Sequence, residues 1–202
     1  MDKGRIDSSG TGYWQLVRRN ADFRFLWSGQ VVSLFGDWFN LIASATLVSV
    51  LTHSGTAVGA LFIVRMLAPF VVSPVAGVIA DRYDRRKILI TADLARGVVV
   101  LGFLLVRDAR HLWFLYGLTA LQLGISGLFF PARNAILPNI VRRQDLGAAN
   151  ALSSVSWSVM LALGTALGGF VAGALGIYTA FLIDSMSFLI FRMAFSSCAL
   201  LR

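Results

Sequence analysis

Long apolar runs separated by short polar loops constrain this chain more than any other feature. Stretches such as ALFIVRMLAPFVVSPVAGVIA (60–80) and ILITADLARGVVVLGFLLV (88–106) carry few charges. About 20 such residues, rising 1.5 Å each as a helix, match the ~30 Å hydrocarbon core of a bilayer. Lipid offers backbone groups no hydrogen-bond partner, so spans of this length must pair their own N–H and C=O groups as helices. The 202 residues are therefore expected to form an all-α membrane protein. A polar tail over residues 1–22 precedes six spans at about 24–51, 56–80, 88–106, 112–138, 147–172 and 176–197. A mean hydropathy of +0.74 and 57% hydrophobic residues agree with that class.

Charge is concentrated between the runs. DRYDRRK (81–87) holds six charged residues in seven, although only 14% of the chain is charged. Alternate loops are rich and poor in Lys and Arg: the tail up to Arg24, DRYDRRK and VRRQD hold eleven on one side, against two in RDARH on the other. By the positive-inside rule the rich side is cytoplasmic. Both termini are thus expected inside, in a multi-pass protein of the plasma (inner) membrane. A formal charge of +8 could also mark a nucleic-acid surface, but the basic residues sit where orientation charges belong, and no nucleic-acid partner is expected. A single cysteine, Cys198, gives no internal disulfide, and His53 and His111 stand without ligand spacing, so neither metal nor cofactor is indicated. G-x-S-x-G, H-E-x-x-H and P-loop patterns are absent, and the chain is not expected to be an enzyme.

Ionisable residues at membrane depth are the functional candidates, because each costs about 2.5–3.5 kcal/mol at a span centre and normally faces protein or a watery cavity. Asp37 falls ~20 Å from the inner end of the first span and Arg65 ~14 Å from the outer end of the second, so they can pair or share a cavity. Asp37 is the leading candidate for proton coupling, with a permanent ion pair as the alternative. Trp38 is a candidate wall for an aromatic or cationic substrate. Asp93 and Arg133 lie at similar depth and are expected to form a charge network with Arg96, which is three residues after Asp93. Asp184 in the sixth span is a second protonation candidate or a hydrogen-bonded core residue. Gly164, Gly168, Gly169 and Gly173 strip the fifth span for close helix packing. Asp93 and Asp184 each fall early in the third helix of a three-helix set, a faint echo of an inverted three-plus-three repeat.

The stretch GVIADRYDRR, Gly77 to Arg86, resembles the signature G-x-L-A-D-R-x-G-R-[KR] between the second and third helices of the major facilitator superfamily, with Asp84 in place of its second glycine. NADFRFLWSGQVVSLFGDWF, FFPARNAILPNIV and LGAANAL are similar to segments of the branch containing multidrug, macrolide and siderophore exporters. Thr165 replaces the proline of the antiporter signature G-P-x-x-G-G, and Thr119 the arginine of R-x-x-Q-G, which leaves Asp37 as the preferred coupling residue. The resemblance implies the N-terminal half of a twelve-helix fold. It implies efflux of small amphipathic compounds by proton-coupled alternating access, with the bilayer, a small-molecule substrate, protons and a second six-helix half as partners. Asp81 would engage a helix N-terminus in that second half. Arg82, Arg85 and Arg86 would join a cytoplasmic gating network, and Gly77 would admit a close helix approach. A truncated or non-transporting membrane or assembly protein is the competing expectation.

Overall fold

The structure, a computed structural model, describes residues 12–196. Cys198 lies outside them, as do the side chains of Asp81, Arg85 and Arg86. The described residues are all helix, turn and loop: α1 (Tyr13–Arg19), α2 (Ala21–Thr52), α3 (Gly55–Arg82), α4 (Arg85–Gly102), α5 (Leu112–Ile140), α6 (Leu146–Ala174) and α7 (Ile177–Ser196). Five helices are long and apolar enough to cross a membrane, and a shorter apolar segment, Ile177–Phe188, lies within α7.

Local chemistry accounts for the joints. Asn20 caps α2, its Oδ1 accepting from Phe23 N at 2.9 Å, while its Nδ2 donates to Ile140 O at 2.5 Å and ties the start of α2 to the end of α5. At the other end His53 stops α2 in the left-handed region (φ 51°), and Ser54 Oγ then accepts from Ala57 N at 3.4 Å to start α3. Asp84 Oδ1 accepts from Lys87 N at 3.4 Å in the first turn of α4, so this departure from the glycine of the signature has a local use. Gly176, at φ +92°, makes the turn into α7. The stretch expected as a polar tail contains α1, which lays Leu16 and Val17 into the core.

The packing repeats itself. α2 packs against α6 and α7, α5 against α3 and α4, and α4 against α7. Exchanging α2, α3 and α4 for α5, α6 and α7 leaves this pattern unchanged, as a three-plus-three repeat requires. Two apolar clusters fill the bundle. Phe23, Leu26, Leu89, Leu137 and Ala149 belong to the one at the α1 end, and Leu47, Leu61, Phe103, Leu115 and Phe181 to the one at the other. Between them lies a layer of buried polar groups that includes Asn40, Asp93, Arg96, Gln122 and Asp184. The outside is apolar as well: Met66 is 75% and Phe70 76% exposed, as expected of side chains that meet lipid.

Since lipid tails are as apolar as leucine, helices in a bilayer associate through close packing and hydrogen bonds. The glycines of α6 divide on this point. A Cβ on Gly164 would lie 2.7 Å from Trp38 Cβ, and one on Gly168 3.3 Å from Phe39 Cα, so these two let α2 approach. Gly169 and Gly173 meet nothing within 4 Å and are exposed in this chain, so among its described residues two of the four expected glycines pack helices. Position 169 is rotated about 100° from 168, and 173 follows it on the same outer face. Gly77 likewise has open space around it within this chain.

Gly164→Ala is therefore expected to destabilise the solubilised protein by about 1–3 kcal/mol. Gly169→Ala should leave the melting temperature unchanged or raise it, since alanine gains roughly 0.5–1 kcal/mol over glycine in a helix. Thermal unfolding in detergent reads both, and equal losses would contradict the packing.

Candidate functional site

Arg96 organises the polar layer. It projects from α4 into the bundle, 3% exposed, and its Nη2 donates to both carboxylate oxygens of Asp37 on α2, at 2.5 and 2.6 Å. Nη1 donates to Asp93 Oδ1 at 3.5 Å, and the guanidinium lies over the Phe188 ring of α7, 4.2 Å from its centroid. One cation thus bridges two carboxylates and stacks on an aromatic face, the geometry for which a planar guanidinium suits better than an ammonium. Asp93 is fully buried, whereas the Asp37 side chain is 25% exposed and opens toward a cavity.

Close approach of α2 and α7 sets up the neighbouring group. A Cβ on Gly36 would overlap Ser187 Oγ and come within 2.5 Å of Asp184 Oδ1, so only glycine fits there. Asp184, fully buried on α7, accepts from Gln122 Nε2 of α5 at 3.5 Å through Oδ2, and Oδ1 has no hydrogen-bond partner among the described residues. Its own backbone carbonyl accepts from Ser187 Oγ at 2.7 Å. Three carboxyls and one arginine therefore occupy the layer where α2, α4, α5 and α7 meet.

Arg65 joins from the side. With Asp37, Trp38, Ser126 and Trp157 it lines a cavity of about 150 Å³. Asp37 and Arg65 thus share a cavity, but the ion pair of Asp37 is with Arg96, because α3 packs mainly on α5 and touches α2 little. The Trp38 ring meets Trp157 edge-on at 5.6 Å between centroids, forming an aromatic wall.

The expected Asp93–Arg133 pair does not form. Asp93 turns to Arg96 within α4, and Arg133 donates instead to Ser153 Oγ of α6 at 2.5 Å and to Asn134 Oδ1 at 3.3 Å. Depth had suggested the pair, but Arg133 turns to Ser153 of α6 while Asp93 stays with Arg96 of its own helix. Arg82 is exposed at the end of α3 and has no described ion pair. Among the described residues no cluster of His, Cys or Asp has the form of a metal site.

Sequence reasoning passed over the Arg96–Asp37 pair and the polar residues Gln30, Asn40, Ser126 and Ser153. A usable signal existed for some of them: Gln30, Ser33, Asp37, Asn40 and Ser44 recur at three- and four-residue spacing, a polar stripe along one face of an apolar helix.

Arg96→Gln removes the charge that both carboxylates face. It is expected to cost about 3–5 kcal/mol, the usual penalty for breaking a buried pair from one side. Arg65→Gln, at the wall of a cavity, should cost less than about 1 kcal/mol. Chemical unfolding of the two variants in detergent tests this ranking, and a reversed order would reject it.

Comparison with known proteins is consistent with this architecture. A family model described as transmembrane secretion effector matches residues 12–199. The uncharacterized MFS-type transporter YfiS of Bacillus subtilis is 30% identical over 174 residues, covering 86% of this chain and 41% of the relative. The putative bacilysin exporter BacE of the same organism is 29% identical, over 72% of this chain and 36% of its own length. The multidrug resistance protein MdtG of Salmonella paratyphi C is 33% identical, over 68% of this chain and 33% of its own. The matched region thus spans well under half the length of each of these relatives. No solved structure matches.

Proposed function

The chain belongs to the major facilitator superfamily, within its transmembrane secretion effectors, and on that premise we propose that it is the N-terminal six-helix half of an exporter of small amphipathic compounds. Together with a second six-helix half it moves substrate by proton-coupled alternating access, the two halves rocking about a midplane site. It lies in the plasma membrane with both termini inside, residues 1–22 forming the cytoplasmic tail and 23–202 the bundle.

The observation that carries this reading is the placement of Asp37. It is held by Arg96 on one side and open on the other to the cavity shared with Arg65 and the Trp38–Trp157 wall. A carboxylate in that position is a proton acceptor within reach of cargo. Protonation would release Arg96 from α2 and leave it to Asp93 alone, loosening α2 from α4 at the moment the proton binds. Names given to relatives, a multidrug resistance protein and a putative bacilysin exporter, support efflux as the direction. Asp184 serves as a second proton site beside the first. Gly77, Asp81, Arg82, Arg85 and Arg86 form the cytoplasmic gate against the second half, with Gly77 meeting a helix of that half.

Asp37→Asn is expected to lower pH-gradient-driven uptake into everted vesicles, the form export takes there, by roughly tenfold or more while the protein stays in the membrane. Asp37→Glu should recover part of it. Export unchanged in the asparagine variant, with a normal amount of protein, would remove Asp37 from coupling.

A further inference from the structure

A second, larger cavity of about 500 Å³ opens between α2, α5 and α6, nearer the α1 end than the Asp37 site. Gln30, Arg133, Asn150, Ser153, Ser154 and Trp157 are in its wall, which contains no acidic residue. Arg133 lies seven residues before the end of α5, ~10 Å along the axis, where a long basic side chain can usually reach water by snorkelling. Here it does the opposite. It is 5% exposed, turned into the bundle, and no carboxylate among the described residues lies within ion-pair distance.

Its charge is met only by neutral groups, Ser153 Oγ and Asn134 Oδ1, while Arg133 Nε and Gln30 Oε1 have no hydrogen-bond partner among the described residues. A buried cation without a counter-ion is costly in a membrane protein and is kept where a ligand supplies the missing charge. The rest of the wall fits such a ligand. Asn150, Ser154 and Ser158 follow one another at four-residue spacing on an exposed face of α6; Asn150 and Ser154 offer amide and hydroxyl donors, while the Ser158 hydroxyl donates to Ser154 O at 3.2 Å. Trp157 lines this cavity and the Asp37 cavity alike, so an apolar body can lie on the indole while an anionic head points to Arg133.

We propose that the cavity between α2, α5 and α6 binds the carboxylate of a small organic anion, with Arg133 as its counter-ion. A single guanidinium and neutral donors balance one negative charge, which favours a carboxylate over a phosphate dianion. The inference rests on the transport reading only in making that anion the cargo.

Equilibrium binding to the full chain in detergent micelles, followed by calorimetry and tryptophan fluorescence, compares benzoate with benzamide, which has the same shape and no charge. Benzoate is expected to bind roughly tenfold tighter or better. Arg133→Gln should erase the difference and Arg133→Lys retain part of it. Ser154→Phe, on the exposed wall, should block both probes without lowering the melting temperature, and it decides the matter if the arginine variants do not fold. Equal binding of the two probes, or unchanged benzoate affinity in Arg133→Gln or Ser154→Phe, overturns the proposal. Added phosphatidylglycerol should leave benzoate affinity unaltered; competition would assign the site to a lipid headgroup and overturn it too. Binding is read without flux, so absent export with benzoate selectivity intact refutes the transport reading alone.

Discussion

The structure depends on one buried cation. Arg96 leaves α4, crosses the interior and closes on the carboxylate of Asp37, joining two helices whose backbones scarcely touch. Asp93 supplies a second carboxylate from one turn earlier and Phe188 the aromatic floor. Ion pairs taken out of water give little net stability, since desolvation offsets the attraction, but a partner removed leaves a charge that has nowhere to go. The arrangement therefore acts as a selector. Any other rotation of α4 would strand a guanidinium in the bundle, and any other rotation of α2 would strand a carboxylate.

Apolar packing on either side turns that selector into a layer. The cluster at the α1 end gathers α1, α2, α4, α5 and α6, and the opposite cluster gathers α2, α3, α4, α5 and α7. Each is a packed core of aliphatic and aromatic side chains, and Asp93, Arg96 and Gln122 lie between them along α4 and α5. Asp37 opens to the cavity whose wall Arg65, Ser126 and Trp157 share. The two cavities converge on Trp157, so the aromatic wall is common to the Asp37 cavity and to the arginine beyond it.

The spans and their class were legible in the sequence because a bilayer admits few solutions. Length and apolarity carry almost the whole argument, and the helices α2 to α7 occupy those runs. Pairing was not legible. Depth along the membrane is one coordinate, and it set Asp37 level with Arg65 and Asp93 level with Arg133. Rotation about each helix axis and the choice of neighbouring helix decide the contact, and neither is written in a single sequence. Hence Asp37 went to Arg96, and Arg133 to Ser153. The glycines of α6 pose the same problem. Their spacing defines two interleaved stripes, and only the packed structure says that Gly164 and Gly168 face α2 while Gly169 and Gly173 do not.

The long helices differ in length. α2 and α3 have 32 and 28 residues, α5 and α6 have 29 each, and α4 has 18. At 1.5 Å per residue α4 is ~27 Å long, a close match to the hydrocarbon thickness, whereas the other four exceed it by ~12–18 Å. α4 can stand nearly upright, and the four longer helices must tilt or project beyond the lipid. α4 also carries Asp93 and Arg96. The helix that anchors the central ion pair is thus the one that gauges the bilayer, and a thinner or thicker membrane would load that pair directly.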